Sequence, residues 1–258
     1  MKATDGPKGA ISLLAVDGVD GSGKSVFAEH LVAALGAAGV ATALLRVDDF
    51  RQAVDWLRDG RSEADAYHDD YYDLTALDQV ARTLMTGAPQ ATIPIFDANL
   101  ERRTGARAVQ MARGVARREG EGDDGPGPDS ASSEGVDGVR AIVVEGVFAL
   151  RVAEVRARAS LIYLKVSFGE ARRRILARDT TRGRSRENVL HRIDERYFPA
   201  QERYMRDHDP AGRAAVLIDH ERLGQPAIER FDATRLPPSV EAALRGAVLD
   251  FAASPTVK

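Results

Sequence analysis

Residues 18–25 read Gly-Val-Asp-Gly-Ser-Gly-Lys-Ser and follow directly on the apolar run Ile11-Ser-Leu-Leu-Ala-Val16. The pattern G-x4-G-K-[ST] needs an incoming strand and an outgoing helix, because successive backbone N–H groups then converge on nucleotide phosphates at the helix N-terminus. Both flanks are present, with Val26, Phe27, Leu31, Ala34 and Leu35 recurring at helical spacing after the loop. Gly18, Gly21 and Gly23 permit positive φ and close approach of backbone to phosphate, while Asp20, Ser22 and Val26 complete the nucleotide-binding loop. Lys24 has the reach for the β- and γ-phosphates, and the Ser25 hydroxyl can ligate Mg²⁺. The alternative is a glycine turn that merely precedes Lys-Ser, and the strand before and helix after it argue against that.

At 258 residues the chain suffices for one α/β domain with a full core, so a single domain over 1–258 is expected. A net charge of -3 carries no basic excess, which speaks against a nucleic-acid partner. With no cysteine there is neither a disulfide nor a catalytic thiol, and the five histidines show no paired metal-ligand spacing that would suggest zinc. No apolar run approaches the roughly 18 residues of a membrane span, and the N-terminus lacks a signal-peptide core, so the expected location is cytoplasmic, with no membrane partner.

Strand-like runs at 11–17, 41–47, 92–96, 140–145, 160–166 and 214–219 alternate with helical patterns, and the apolar runs are nearly continuous. They predict a doubly wound, mostly parallel five-stranded sheet flanked by helices. The first helix is expected from Lys24 to Ala38, ending at Gly39, and a second from near Leu74 to the Gly87-Ala-Pro89 turn. Residues 117–139 mix charge with Gly, Pro and Ser and offer almost nothing to bury, which reads as a flexible insertion or as a segment that orders on a partner.

Four further places can carry chemistry. The second strand ends in Asp48-Asp49-Phe50, on the rim of the sheet that holds the phosphate loop, where an aspartate can accept a proton from an attacking hydroxyl. Plain loop capping is the other reading, more so for Asp49 than for Asp48. The strand Ala141-Ile-Val-Val-Glu145 places a carboxylate where a hard cation beside phosphates takes oxygen ligands, directly or through water. The stretch from Ala171 to Ser185 carries Arg174, Arg178, Arg182 and Arg184, two or three of which are expected to close over phosphates about a hinge at Gly183, the rest pairing with acids on an exposed helix. The run Tyr67-His68-Asp69-Asp70-Tyr71-Tyr72-Asp73 is either part of an acceptor pocket or an aromatic segment packed on the sheet.

Taken in order, these pieces resemble the uridine kinase and phosphoribulokinase group of phosphate-loop kinases. The likeness runs from about residue 11 to 220: the phosphate loop, Asp48-Asp49-Phe50 against an Asp-x-Phe pattern, Pro94-Ile-Phe96-Asp97 against Pro-x-Tyr-Asp, Val144-Glu145-Gly146, Arg178-Asp179 with Arg182-Gly183-Arg184, Pro199 to Tyr204, and Ala215 to Asp219. The resemblance implies a P-loop kinase fold with a helical lid over about 169–206. It also implies Asp48 as base for a ribose 5′-hydroxyl, with Lys24, Arg178, Arg182 and Arg184 as catalytic groups and Ser25 and Glu145 at the metal. Asp69 or Asp73 would meet the ribose diol, and Asp49, Tyr72, Phe96, Glu101 and Arg103 would complete the acceptor site. In uridine kinases the Pro-x-Tyr-Asp stretch leads to an aromatic residue, a histidine and an arginine; here those positions are Ala98, Glu101 and Arg103. A polar site penalises an analogue that leaves its groups unpaired, so this difference shifts the preferred acceptor.

The expected activity is therefore ATP- and Mg²⁺-dependent phosphorylation of a small-molecule hydroxyl, a nucleoside such as uridine being the first candidate and another ribosyl or sugar-like alcohol the second. A homo-oligomer is compatible with this reading. A GTPase switch is disfavoured, because neither Asn99 nor Asn188 is followed by Lys as a guanine-reading Asn-Lys-x-Asp requires. A non-catalytic nucleotide-binding module would not need to keep Lys24, Ser25, Asp48 and Glu145 together.

Overall fold

The computed structural model describes residues 11–56, 60–97, 100, 102–112 and 139–253. The insertion expected at 117–139 lies outside the described residues except for Val139, and Ala98 and Glu101 lie outside them too. The main sheet is built from β1 (Ile11–Gly18), β2 (Ala41–Arg46), β5 (Arg140–Glu145), β6 (Ser160–Lys165), β7 (Val216–Asp219) and β8 (Ala227–Phe231), in the order β2-β5-β1-β6-β7-β8. The first five of these are parallel, as the sequence predicts, and β8 adds an antiparallel edge on β7.

One strand differs from its expected place. The 92–96 run lies in β3 (Gln90–Asp97), which pairs antiparallel with β4 (Arg102–Gln110) in a separate two-stranded sheet. Pro94 and the largely exposed β4 explain this: neither suits a strand covered on both faces.

Covered faces account for the unbroken apolar runs. Along β1, Leu13 and Ala15 enter the core on one side of the sheet, while Leu14 and Val16 enter the core on the other, as the two-residue strand repeat requires. The second core is closed by α1 (Lys24–Ala37) and α9 (Pro238–Ala253), where Phe27 meets Phe251 edge-on at 5.4 Å. The first is closed by α2 (Glu63–Asp69), α3 (Leu74–Met85), α4 (Ala153–Arg158) and α7 (Phe198–His208). A third, smaller core forms under α5 (Phe168–Thr181) and α6 (Arg186–Arg192), which continues through one π turn into α7; α8 (Pro210–Arg213) then leads to β7. These helices span the segment expected to form the lid. Among the described residues no helix is long and apolar enough to cross a membrane.

Register positions the chemistry. Val16 of β1 is level with Glu145 of β5, and Glu145 with Arg46 of β2, so three adjacent strands end on one rim. The phosphate loop, Glu145 and Asp48 leave the sheet there together. The ends of β5 and β2 approach so closely that a Cβ added at Gly146 would lie 2.4 Å from the Val47 Cβ. Gly146→Ala is therefore expected to destabilise the fold by about 1–3 kcal/mol, the usual cost of overpacking, and thermal melting checks it.

Candidate active site

The loop between β1 and α1 turns through Gly23, whose φ of 92° and whose contact with the His220 ring, 3.1 Å from an added Cβ, leave no place for a side chain. Ser22 N donates to Val19 O (3.0 Å), and the His220 ring stands 2.8 Å from Ser22 O, bracing the turn from β7's end. Arg174, one of the candidate phosphate arginines, is instead spent on structure: it donates to the carbonyls of Gly21, His220 and Glu221 and pairs with Glu170. Val26 packs on the core beneath α1.

Lys24 is 8% exposed, and its ammonium donates to Val19 O (3.4 Å) and Asp20 Oδ1 (3.3 Å). Burial alone would lower its pKa, but Asp20, Glu145, Asp48 and Asp17 together raise it, so it stays charged. Ser25 Oγ donates to Glu145 Oε1 at 2.9 Å, and burial raises the Glu145 pKa against the pull of Lys24 and Ser25. The Ser22 hydroxyl is buried without a partner in the floor of the loop. A cradle of backbone N–H groups, a charged lysine and an unsatisfied hydroxyl fits a polyphosphate. The Ser25–Glu145 pair supplies the oxygen donors that Mg²⁺ takes, and with no cluster of three or more His, Asp or Glu ligands among the described residues, a cation here would share its ligands with phosphate and water.

Asp48 sits in the short turn after β2, with its side chain 57% exposed. Its Oδ1 accepts from the Tyr72 hydroxyl at 3.0 Å, and its Oδ2 is paired with Arg51. The Tyr72 hydroxyl in turn meets that of Tyr67 at 3.3 Å, and Tyr67 donates to Asp20 Oδ2 at 3.2 Å. Asp20 holds Lys24, so the two tyrosines, each donating its one proton to a carboxylate, stand side by side between Asp48 and the phosphate loop. Both tyrosines pack edge-on against Phe148, which fixes the pair in place. The 67–73 run thus serves the core and the site at once.

The remaining candidate acceptor residues divide. Asp73 caps α3 by accepting from Ala76 N (2.9 Å) and pairs with Arg103 of β4 at 2.8 Å, so these two are brought together. Phe96 lines a cavity with Arg51, Trp56 and Tyr71. Asp49 is turned to the hairpin and paired with Arg107 at 2.8 Å. Asp69 is drawn away from Asp48: its carboxylate is taken up by His68, Arg61 and Arg203. Burial of that carboxylate is outweighed by these partners, which lower its pKa.

Of the lid arginines, Arg178 and Arg184 both grip Asp179, at 2.7 and 2.8 Å, and Asp179 is only 1% exposed. Arg178 also feels the charge of Asp20, which brings it electrostatically to the loop. Arg182 lies exposed in the turn after α5 with no ion-pair partner among the described residues, next to Gly183 at φ 87°.

The family model described as phosphoribulokinase / uridine kinase family matches residues 13–211, which includes the loop, Asp48, Glu145 and the lid. The chain belongs to that family. It is a kinase, and the family implies ATP as phosphate donor. Two solved structures share the fold: a provisionally assigned uridine kinase from Bacillus stearothermophilus (20% identity, TM-score 0.53, covering 81% of this chain and 88% of that one) and a provisionally assigned fructose transport system kinase from a Silicibacter species (18%, 0.57, 80% and 88%). No curated protein matches the chain.

Within this kinase, three residues at the loop were given no role by the sequence reading, although two of them fall in the Pro199–Tyr204 stretch. Asp17, fully buried, accepts from Gly18 N (2.6 Å) and from the Tyr204 hydroxyl, and Gln201 binds Asp20 through both its amide groups (2.8 and 3.1 Å). Gln201 and Tyr204 are three apart on α7, so one helix face clamps the loop from the lid side. That spacing, within the Pro199–Tyr204 stretch that carries part of the family likeness, was the signal available in the sequence. Burial moves the Asp17 pKa from 3.8 to about 7, against the lowering effect of Tyr204. The folded state therefore holds this proton more tightly than the unfolded chain, and the contribution of Asp17 to stability falls as pH rises from about 4 to 7, by an amount on the order of 4 kcal/mol. Asp17→Asn is expected to remove that fall: the melting temperature of the variant should gain on the parent between pH 5 and pH 8. A constant difference across that range would assign the pH dependence elsewhere.

Proposed function

We propose that this kinase transfers the γ-phosphoryl group of ATP to a hydroxyl of a small molecule held beside Asp48, a nucleoside being the first acceptor to test and another ribosyl or sugar-like alcohol the second. The observation that carries this reading is the placement of Asp48 beside the phosphate loop: Tyr72 donates to the solvent-facing Asp48, its neighbour Tyr67 donates to Asp20, and Asp20 holds Lys24. Asp48 would orient the hydroxyl and accept its proton, while Tyr72 holds the carboxylate in position. Lys24 would neutralise charge on the transferred group, joined by Arg182 and Arg178 when the lid closes. Asp73, Phe96 and Arg103, on the Asp48 side of the hairpin, would contact the acceptor. Ser25 and Glu145 would hold Mg²⁺, which supplies charge neutralisation on the phosphates.

Release of ADP from MgATP, measured across nucleosides and sugar alcohols, tests the reading. Acceptor-dependent ADP release with a phosphorylated product is expected; hydrolysis indifferent to every alcohol would overturn it. Glu145→Gln should raise the Mg²⁺ concentration for half-maximal rate by 10-fold or more, in the range for ligands that orient a metal's shell. An unchanged magnesium titration would remove Glu145 from the metal.

A further inference from the structure

His220 follows β7 directly and stands behind the phosphate loop, buried at 3% exposure. Its backbone is pinned on both sides: the N–H donates to Lys165 O of β6 (3.0 Å), and the carbonyl accepts from Arg174 of α5 (2.6 Å). The ring lies 4.5 Å from that of Phe251, in the last turn of α9, and its Nδ1 is 2.8 Å from Ser22 O. A carbonyl oxygen only accepts, so Nδ1 carries the proton of that contact. Burial and the Arg174 guanidinium lower the pKa of the ring, against the pull of Ser22 O, so the imidazole is neutral near neutral pH.

What this bond fixes is a peptide plane. A trans peptide carries its C=O and N–H on opposite sides, so anchoring Ser22 O on His220 turns the Gly23 N–H away from it. There it can join the N–H groups of Lys24 and Ser25, the first of α1, which have no acceptor within the helix. Glycine tolerates either sign of φ, so Gly23, at 92°, does nothing by itself to stop the plane from flipping and offering phosphate a carbonyl instead. Two other loop carbonyls are held as well. Gly21 O accepts from Arg174 (3.3 Å), and Val19 O accepts from Ser22 N (3.0 Å) and Lys24 Nζ (3.4 Å).

We propose that His220 is a positioning residue for phosphate binding: by donating to Ser22 O it holds the Ser22–Gly23 peptide with its N–H toward the phosphates, so the loop is set before a nucleotide arrives. The inference rests on the nucleotide-binding reading of residues 18–25 and adds to it a residue 198 positions further along the chain. Donors that are already in place lose no ordering free energy on binding, which is how a side chain that never touches the ligand raises affinity. Arg174 serves the same end through Gly21 O and through the backbone of His220 itself.

Calorimetric titration of the full-length protein with MgADP and with magnesium tripolyphosphate tests this, alongside thermal melting of each variant. Tripolyphosphate isolates the loop, because it has neither base nor ribose. His220→Leu keeps bulk without a donor and should weaken both ligands by about tenfold or more, the scale of one buried hydrogen bond lost. His220→Asn puts an amide N–H near the place of Nδ1 and should restore affinity to within about threefold of the parent, although without the ring it melts lower. Phe251→Leu removes the ring's packing partner and leaves the donor, so it should melt lower with affinity again within about threefold. Equal affinity in the parent and His220→Leu would overturn the proposal. So would a loss in Phe251→Leu as large as that in His220→Leu, since packing would then be the cause. Weakened MgADP with tripolyphosphate unchanged would overturn it too, because His220 would then serve the base. If His220→Leu does not fold, His220→Gln replaces it: the longer side chain carries its amide past the place of Nδ1, so it should bind tripolyphosphate about fivefold or more weakly than His220→Asn, and equal binding would sink the proposal. A parent protein that binds neither ligand would remove the phosphate-loop reading itself, and this inference with it.

Discussion

Lys24→Ala is expected to lower kcat/KM by at least three orders of magnitude and to weaken nucleotide binding as well. Loss of one preorganised donor at a developing negative charge typically costs about 10²–10³ in rate, and Lys24 also contributes to ground-state binding of the phosphates. The surroundings add to the effect. Lys24 is the buried cation that Asp20, Glu145, Asp48 and Asp17 share, and those carboxylates hold its charge in place. Without it, Glu145 and Asp17 lose a cation that lowers their pKa values, so both become easier to protonate near neutral pH and Glu145 becomes a poorer metal ligand. Titration with a fluorescent ATP analogue and steady-state kinetics separate the two losses, and a melting curve shows whether the protein remains folded. If affinity and rate both matched the parent, the loop would not be the nucleotide site.

Asp48→Asn is expected to reduce kcat by about two orders of magnitude or more, equivalent to roughly 3 kcal/mol of transition-state stabilisation, with ATP affinity nearly unchanged. The amide can still accept from Tyr72 but cannot take a proton from an alcohol. Its side chain is largely exposed, so the fold should tolerate the change. Tyr72→Phe provides the comparison: it keeps the carboxylate but frees its position, so a smaller loss that falls on kcat rather than on ATP binding is expected. Turnover at the parental rate in Asp48→Asn would remove this residue from the chemistry.

The parts of this kinase that could be read in the residue order are those set by local geometry. The phosphate loop declares itself because glycines suit its turns and a lysine followed by a serine or threonine supplies its chemistry. The parallel core shows in unbroken runs such as Leu13 to Val16, since both faces of those strands are covered. The hairpin strand at 92–96 misled for the same reason: a run of apolar residues states that a strand forms, and not which sheet receives it. Asp69 and Asp73 lie four residues apart in one motif, yet one joins a cluster of arginines and the other caps α3 beside the hairpin. Pairing of long, flexible charged side chains depends on which elements come to rest beside them, and residue order does not encode that directly.

From the sequence alone, the chain was bound to make a strand–loop–helix unit that wraps phosphate, with carboxylates at the ends of two further strands, because backbone conformation and strand burial are short-range constraints. Tertiary structure decided what surrounds that unit: Gln201 and Tyr204 reaching back across the chain to Asp20 and Asp17, two tyrosines standing between Asp48 and the loop, and His220 bonded to Ser22 from the end of β7. Those contacts arise from packing between elements far apart in the chain, where the gain from each pairing exists only after the whole sheet and its helices are assembled.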